Sequence, residues 1–415
     1  MKFLKSTAAL ALAVLMLALC ACGTKVEKVR DLLCDIDVDR VTAAGIDENE
    51  SAMLADAYLR IFGGVITEDK NSPLISPLSI ITALGMLADG TAGNTRAQLE
   101  ELFGLKTEEL DALLSYLDAR LRDTGSKNVK FTSANSLWLT NNGGIKFKTS
   151  YLERVKASYA AEIYSVNFAD PTIPDEINSW VKKHTDGMIE KMIEPSDVDG
   201  NTVSAILNAL TFDAKWEKEF EKVSDGTFAS YTGDERNVSM MFSSDCRYYE
   251  LDGAVGISKD YDGGKYRFEA ILPDGKTDVF DFAKNLDGKT IMSLPEREVK
   301  TSVRVGVPKF SLDCDFDLIP ALTSIGITDV FGGAADFSEL AEIKPGEIYV
   351  DKAIHKTHIE LDESGTKAAA ATYISTRKNA VMYEKEVILD RPFLYMIVDG
   401  ETNLPVFIGI LTDVK

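Results

Sequence analysis

The chain has 415 residues, 45% of them hydrophobic and 27% charged, with a formal net charge of −21. That composition belongs to a soluble globular chain with a large core, built as one large domain or two or three ordinary ones. The acidic balance argues against nucleic acid or an anionic membrane surface as an electrostatic partner, and no low-complexity tract or internal repeat is present.

The first 22 residues, MKFLKSTAALALAVLMLALCAC, set Lys2 and Lys5 before an apolar run from Ala8 to Leu19. The run is too short and wrongly flanked for a spanning helix and reads as a secretory signal. Its end, Leu19–Cys22, resembles the bacterial lipobox, which implies cleavage before Cys22 and a diacylglycerol on its sulfur. The other reading is an ordinary signal peptide cleaved nearby. Two acyl chains hold a protein stably on a membrane. The expected organisation is therefore a signal over residues 1–21, a lipidated Cys22 and tether over 22–46, and one domain over 47–415. The expected location is a membrane anchor at the bacterial cell surface or in the periplasm. Cys34, Cys246 and Cys314 remain after cleavage; such spacing makes no disulfide framework, and free buried thiols are expected.

Residues 48–65 and 77–90 read as helices, the second apolar on almost every face and so buried. Leu110, Leu113, Leu114, Leu117 and Leu121 form a helical stripe opposite Glu108, Asp111, Asp118 and Arg122. A further helix is expected over 176–184. From about 203 short apolar runs take over: SAILNALTF, YRFEAILPDG and TSVRVGVPKF read as strands, with DLIPALTSIGI as a helix between strands. EVILDRPFLYMIVDG and LPVFIGILTD close the chain as strands joined by a tight ETN turn. No Pro/Gly-rich linker divides the helical and strand parts, so the pattern predicts a single α+β domain.

Catalytic signatures are missing. Neither HExxH nor GxSxG occurs, and the Gly-Lys-Thr triplets at 275–277 and 288–290 lack the upstream glycine of a phosphate-binding loop, which is replaced by Ala270 and Ala283. His355 and His358 are three apart in an expected strand and face opposite ways, so a shared metal is not expected. No catalytic residue, cofactor or metal site is assigned.

Residues 363–376, ESGTKAAAATYIST, are ambiguous. Four alanines favour a helix, but no apolar face is sustained. With period two, Thr366, Ala368, Ala370 and Thr372 share one small, uncharged face, while Lys367 and Tyr373 point the other way.

The order of segments from Glu48 to Lys415 resembles the serpin family of protease inhibitors. The residues that carry the likeness are NSPLISPLSIITALGMLADGTAGNT (71–95) with Ser76 and Ser79, SANSLWLTNN (133–142), SVNFADP (165–171), INSWVKKHTDGMI (177–189), and ILNALTFDAKWEKEF (206–220) with Asn208 and Trp216. AILPDG, VPKFSL, GITDVF and DRPFLYMIVD follow in family order, and IHKTHIELDESGTKAAAAT (354–372) matches the hinge. The resemblance implies three β-sheets, about nine helices, a metastable native state and an exposed reactive-centre loop. In that family a serine or cysteine protease attacks the loop and forms an acyl-enzyme, and the same is expected here. The cut loop then inserts as a new strand in the main sheet and carries the protease with it.

On this resemblance Glu363, Gly365, Thr366, Ala368, Ala369, Ala370, Ala371 and Thr372 form the hinge. Gly365 is expected at a bend where strand meets loop, and Trp216 and His355 are expected with Glu363 near the top of the sheet, where insertion starts. Small side chains enter a closed sheet without overpacking, whereas a buried unpaired charge costs several kcal/mol. A dozen inserted residues make roughly 20 hydrogen bonds at ~0.5–1.5 kcal/mol each, against ordering at ~1–2 kcal/mol per residue. The two nearly cancel, so side-chain burial and relief of native strain decide the outcome.

Family spacing places the scissile bond at Asn379–Ala380. A register shorter by one or two residues gives Lys378–Asn379 or Arg377–Lys378, which suit trypsin-like enzymes. The expected partner is a protease in covalent complex, with a lipid anchor to membrane and a monomeric chain. The helix near 106–122 is mixed to acidic, so no activation by heparin-like polyanions is expected. The alternative is a non-inhibitory member acting as a binding module, whose usual sign, bulky or charged hinge residues, is missing.

Overall fold

The structure, a computed structural model, describes residues 28–41, 45–68, 70–366 and 382–414. In chain order, the helices among the described residues are α1 (Glu48–Glu68), α2 (Pro77–Gly90), α3 (Gly93–Phe103), α4 (Thr107–Arg122) and α5 (Thr149–Ser158). They continue with α6 (Ile173–His184), α7 (Val279–Lys284), α8 (Gly288–Met292) and α9 (Leu318–Ser324). The strands begin with β1 (Val29–Asp31), β2 (Leu74–Ile75), β3 (Val129–Thr140), β4 (Ala161–Val166), β5 (Ser204–Lys215) and β6 (Lys222–Ala229). Next come β7 (Glu235–Ser243), β8 (Arg247–Leu251), β9 (Ala254–Asp260), β10 (Tyr266–Pro273), β11 (Val303–Pro308) and β12 (Phe310–Asp317). The last are β13 (Lys352–Leu361), β14 (Gly365–Thr366), β15 (Lys385–Ile388), β16 (Phe393–Asp399) and β17 (Pro405–Leu411).

Three sheets result. The seven-stranded sheet runs β1-β4-β3-β5-β14-β13-β12, the six-stranded sheet β2-β17-β16-β10-β9-β8, and the four-stranded sheet β15-β11-β7-β6. β10, β16 and β17 are buried along their whole length, as expected of strands covered on both faces. β12 alternates instead, burying Phe310 and exposing Ser311, Asp313, Asp315 and Asp317, because it is the outer strand of its sheet.

α2 begins at Pro77, whose fixed φ suits a first helical position; the Ser76 side chain accepts from Ser79 N at 3.4 Å. Every residue of α2 except Thr82 is buried, between the sheets and the surrounding helices. The leucine stripe of α4 faces the same core. A second apolar cluster lies under α6, where Trp180, Ile177 and Val181 cover Trp138, Leu207 and Ile354 of the seven-stranded sheet.

The segment expected to be a tether is partly built into the fold. Val29–Asp31 pair antiparallel with β4, Leu32 and Leu33 are buried, and Val41 N donates to Ala157 O at 2.9 Å. Three strand residues carry no readable period; an unpaired sheet edge and two leucines hold them. Cys34 is exposed, and Cys246 and Cys314 are only half-buried, which corrects the expected buried thiols.

Candidate functional site

β5 and β13 are parallel neighbours, with Lys352–His358 paired to Ala205–Thr211. Beyond that stretch they part, and Gly365 and Thr366 lie between them. Gly365 stands opposite Lys215 and Thr366 opposite Ala214, while Thr366 also faces Leu361. Both pairings are antiparallel. The first two hinge residues are therefore already a strand, where a loop was expected.

The reversal from β13 into β14 is held by Asp362, whose Oδ1 accepts from Ser364 N at 2.7 Å and Gly365 N at 3.0 Å. Trp216 grips the outside of this turn: its Nε1 donates to Asp362 O at 2.9 Å and its backbone N to Ser364 O at 3.0 Å. Phe220 N donates to Glu363 O at 3.0 Å. The Glu363 carboxylate pairs with the Lys309 ammonium. Partial burial pushes that carboxyl upward, but Lys309 outweighs it and holds it below the usual glutamate range.

Thr366 is fully buried and its hydroxyl lies 2.7 Å from that of Tyr261. Tyr261 stacks on Trp216 at 4.4 Å between ring centroids. Beneath them the buried Lys259 ammonium sits 5.0 Å from the Phe220 ring and 6.0 Å from that of Trp216, and it donates to Ser243 Oγ at 3.2 Å. Gly365 is required for close approach rather than for a bend. A Cβ there would fall inside contact distance of Ala214 O and 2.8 Å from Lys215 Cα, both backbone atoms that cannot swing aside.

His355 lies away from this end of the sheet, opposite Asn208 in mid-strand. Asn208 also faces Asn135 on β3. Asn208 Nδ2 reaches Asn135 Oδ1 and Ser79 Oγ, and donates to Ser79 O at 2.9 Å. His355 Nδ1 lies 2.5 Å from Asn208 Oδ1, and Nε2 is 3.0 Å from Ser76 N. A backbone N–H can only donate, so Nε2 accepts and the proton sits on Nδ1. Burial pushes the His355 pKa down to about 3, consistent with that neutral tautomer. The bond to Asn208 crosses the β5–β13 junction, so any strand entering there must break it.

The structure thus brings Trp216, Glu363, Gly365 and Thr366 together and sets His355 in a separate buried network. His358 turns to Asp313 at 2.8 Å, away from His355. Among the described residues no group of three or more His, Cys, Asp or Glu side chains could hold a metal ion.

The family described as "Serpin (serine protease inhibitor)" matches residues 54–414. The chain belongs to the serpin family. Alpha-1-antiproteinase F of Cavia porcellus is 31% identical over 371 residues, which cover 84% of this chain and 87% of the relative. The thermophilic serpin Tengpin in its native state is 34% identical, with a TM-score of 0.87 over 93% of this chain and 100% of the other. Tengpin in its latent state gives 0.76 over 89% and 99%.

Ala368, Ala369, Ala370, Ala371 and Thr372 of the hinge, the candidate reactive residues Arg377, Lys378, Asn379 and Ala380, and Cys22 lie outside the described residues. Sequence reasoning did not single out Tyr261, Lys309, Asn135 or Lys259. Each meets the hinge region or the Asn208 network through contacts between distant strands, and no local motif marks them.

Proposed function

We propose that this serpin is an endopeptidase inhibitor that acts as a suicide substrate on serine, and also cysteine, proteases. The observation that carries this is β14, two residues of the hinge already seated between β5 and β13. Opening a parallel pair and filling it with a reversed strand replaces one parallel ladder by two antiparallel ones, which are more stable per residue. Thr366 points inward to Tyr261, and alternation from it carries Ala368, Ala370 and Thr372 on the same small face.

In the reaction the protease nucleophile forms an ester or thioester with the carbonyl of residue 379 as the Asn379–Ala380 peptide bond breaks. The new amine at residue 380 takes the proton. Insertion then outruns hydrolysis of the acyl bond. Lys378 and Arg377 are the alternative acyl positions for trypsin-like enzymes. The chain acts as a monomer, anchored through lipid on Cys22 after export. The basic residues near the end of α4 are committed: Arg120 pairs with Asp399 at 3.0 Å and Glu401 at 2.6 Å, and Arg122 with Asp118 at 2.9 Å. These pairings support a reading in which no heparin-like polyanion activates the inhibitor.

A denaturing gel tests the reading. Incubation with trypsin-like, elastase-like and asparaginyl proteases should give a covalent band at summed mass, and mass spectrometry of the released peptide names the bond. A clipped chain with no such band would favour the non-inhibitory binding module.

A further inference from the structure

β1 brings the chain into the seven-stranded sheet at the end opposite the hinge. Val29 pairs with Val166, Val166 is level with Thr140, and Thr140 N donates to Val203 O at 2.9 Å, just before β5 begins. The hinge stands at the other end, with Gly365 opposite Lys215. At a rise of about 3.3 Å per residue, β5 separates these rows by roughly 35–40 Å. β1 runs towards the hinge end from Val29 to Asp31, so its start, next to Lys28, lies at the far end.

That departure point is pinned. The Lys28 ammonium lies 3.4 Å from the Asp170 carboxylate and 3.4 Å from Thr172 Oγ1. Leu32 N donates to Ile163 O at 2.8 Å, and further along Ser115 Oγ donates to Val41 O at 2.5 Å. Cys22 is six residues before Lys28, a leash of at most about 20 Å.

An inserting loop travels to the same end. Antiparallel to β5 and in the Gly365–Lys215 register, it carries residue 376 level with Ser204, and residue 379 lies just beyond. Four strand spacings of about 4.8 Å, roughly 19 Å, then separate the acyl-linked residue from β1. A protease of about 230 residues is roughly 45 Å across, wider than the leash is long.

We infer that the attachment pole is also the receiving pole. Trapping moves the protease from the end facing solvent to the end facing lipid and presses it against the bilayer that holds the inhibitor. The inference rests on the trapping and lipid-anchor readings above.

Neutron reflectometry on a supported bilayer carrying the full lipidated chain tests it. Asn379→Arg gives deuterated trypsin a cleavable bond. Trypsin inactivated at its nucleophile docks without cleavage and should form a layer distal to the inhibitor. Active trypsin should end in a layer beside the bilayer, shifted inward by roughly 35 Å or more. Twenty Gly/Ser residues inserted between positions 22 and 28 should let that layer move outward again. If active and inactive trypsin sit at the same height although the gel shows the covalent band, the inference fails and trapping stands. If the gel shows no band with any protease, the trapping reading fails and this inference with it.

Discussion

Thr366 donates to or accepts from Tyr261 across 2.7 Å, so the first inward residue of the hinge is docked before any protease arrives. Tyr261→Phe keeps the ring stack on Trp216 but strands the Thr366 hydroxyl in a buried place, at about 1–3 kcal/mol. Hydrogen exchange of a peptide covering 362–366 should quicken by roughly 5–150-fold, with β13 unchanged. Unaltered exchange would show that the hinge is held by its backbone alone.

Gly365→Ala should be the sharper lesion. Its methyl meets the backbone of Ala214 and Lys215, and neither can yield without bending β5. The expected result is conversion from inhibitor to substrate: normal cleavage, with the covalent band reduced at least tenfold. Ser364→Ala, one residue earlier and outside the strand, should retain the band.

Asn208→Ala removes the node joining β3, β5, β13 and α2. Asn135, Ser79 and His355 would each lose a buried partner, and such networks are costly when half satisfied. A loss of about 2–4 kcal/mol in native stability is expected, read as a lower urea midpoint of the intact chain. A midpoint within error of the parent would contradict the network's role.

His355 makes stability depend on acid. The folded chain keeps it neutral down to about pH 3, whereas the unfolded chain protonates it near the ordinary histidine value of about 6.5. The unfolded state therefore binds more protons between those limits. Stability falls as pH drops through that window, by up to about 1.4 kcal/mol per pH unit. Asp89 and Asp111, whose carboxyls burial pushes upward, act with the opposite sign. Comparing His355→Gln with the parent at pH 4.5 and 6.5 isolates the histidine: the parent should lose more midpoint than the variant on acidification.

Much of the fold was legible. A helix apolar on every side, as in α2, has nowhere to go but the interior, and the ordered run of motifs identified the sheet that holds Asn208 and ends beside Trp216. The limits are equally physical. β1 is three residues long, and its place depends on an edge over 130 positions away. His355 and Asn208 are 147 residues apart, and strand register, which local pattern does not encode, decides that they meet mid-sheet and not beside Trp216. The hinge glycine suggested a bend because glycine permits one; only the approach of β14 to β5 reveals a spacing role.

Because β5 and β13 point the same way, the gap between them has a polarity. A free peptide with the sequence of residues 365–376 that pairs antiparallel to both strands would keep its residue 365 at the Trp216 end. A strand running the other way would form two parallel ladders, the slightly less stable pairing per residue. The sheet thus favours one chain direction as well as small side chains, a bias against stray extended segments that composition alone would not provide.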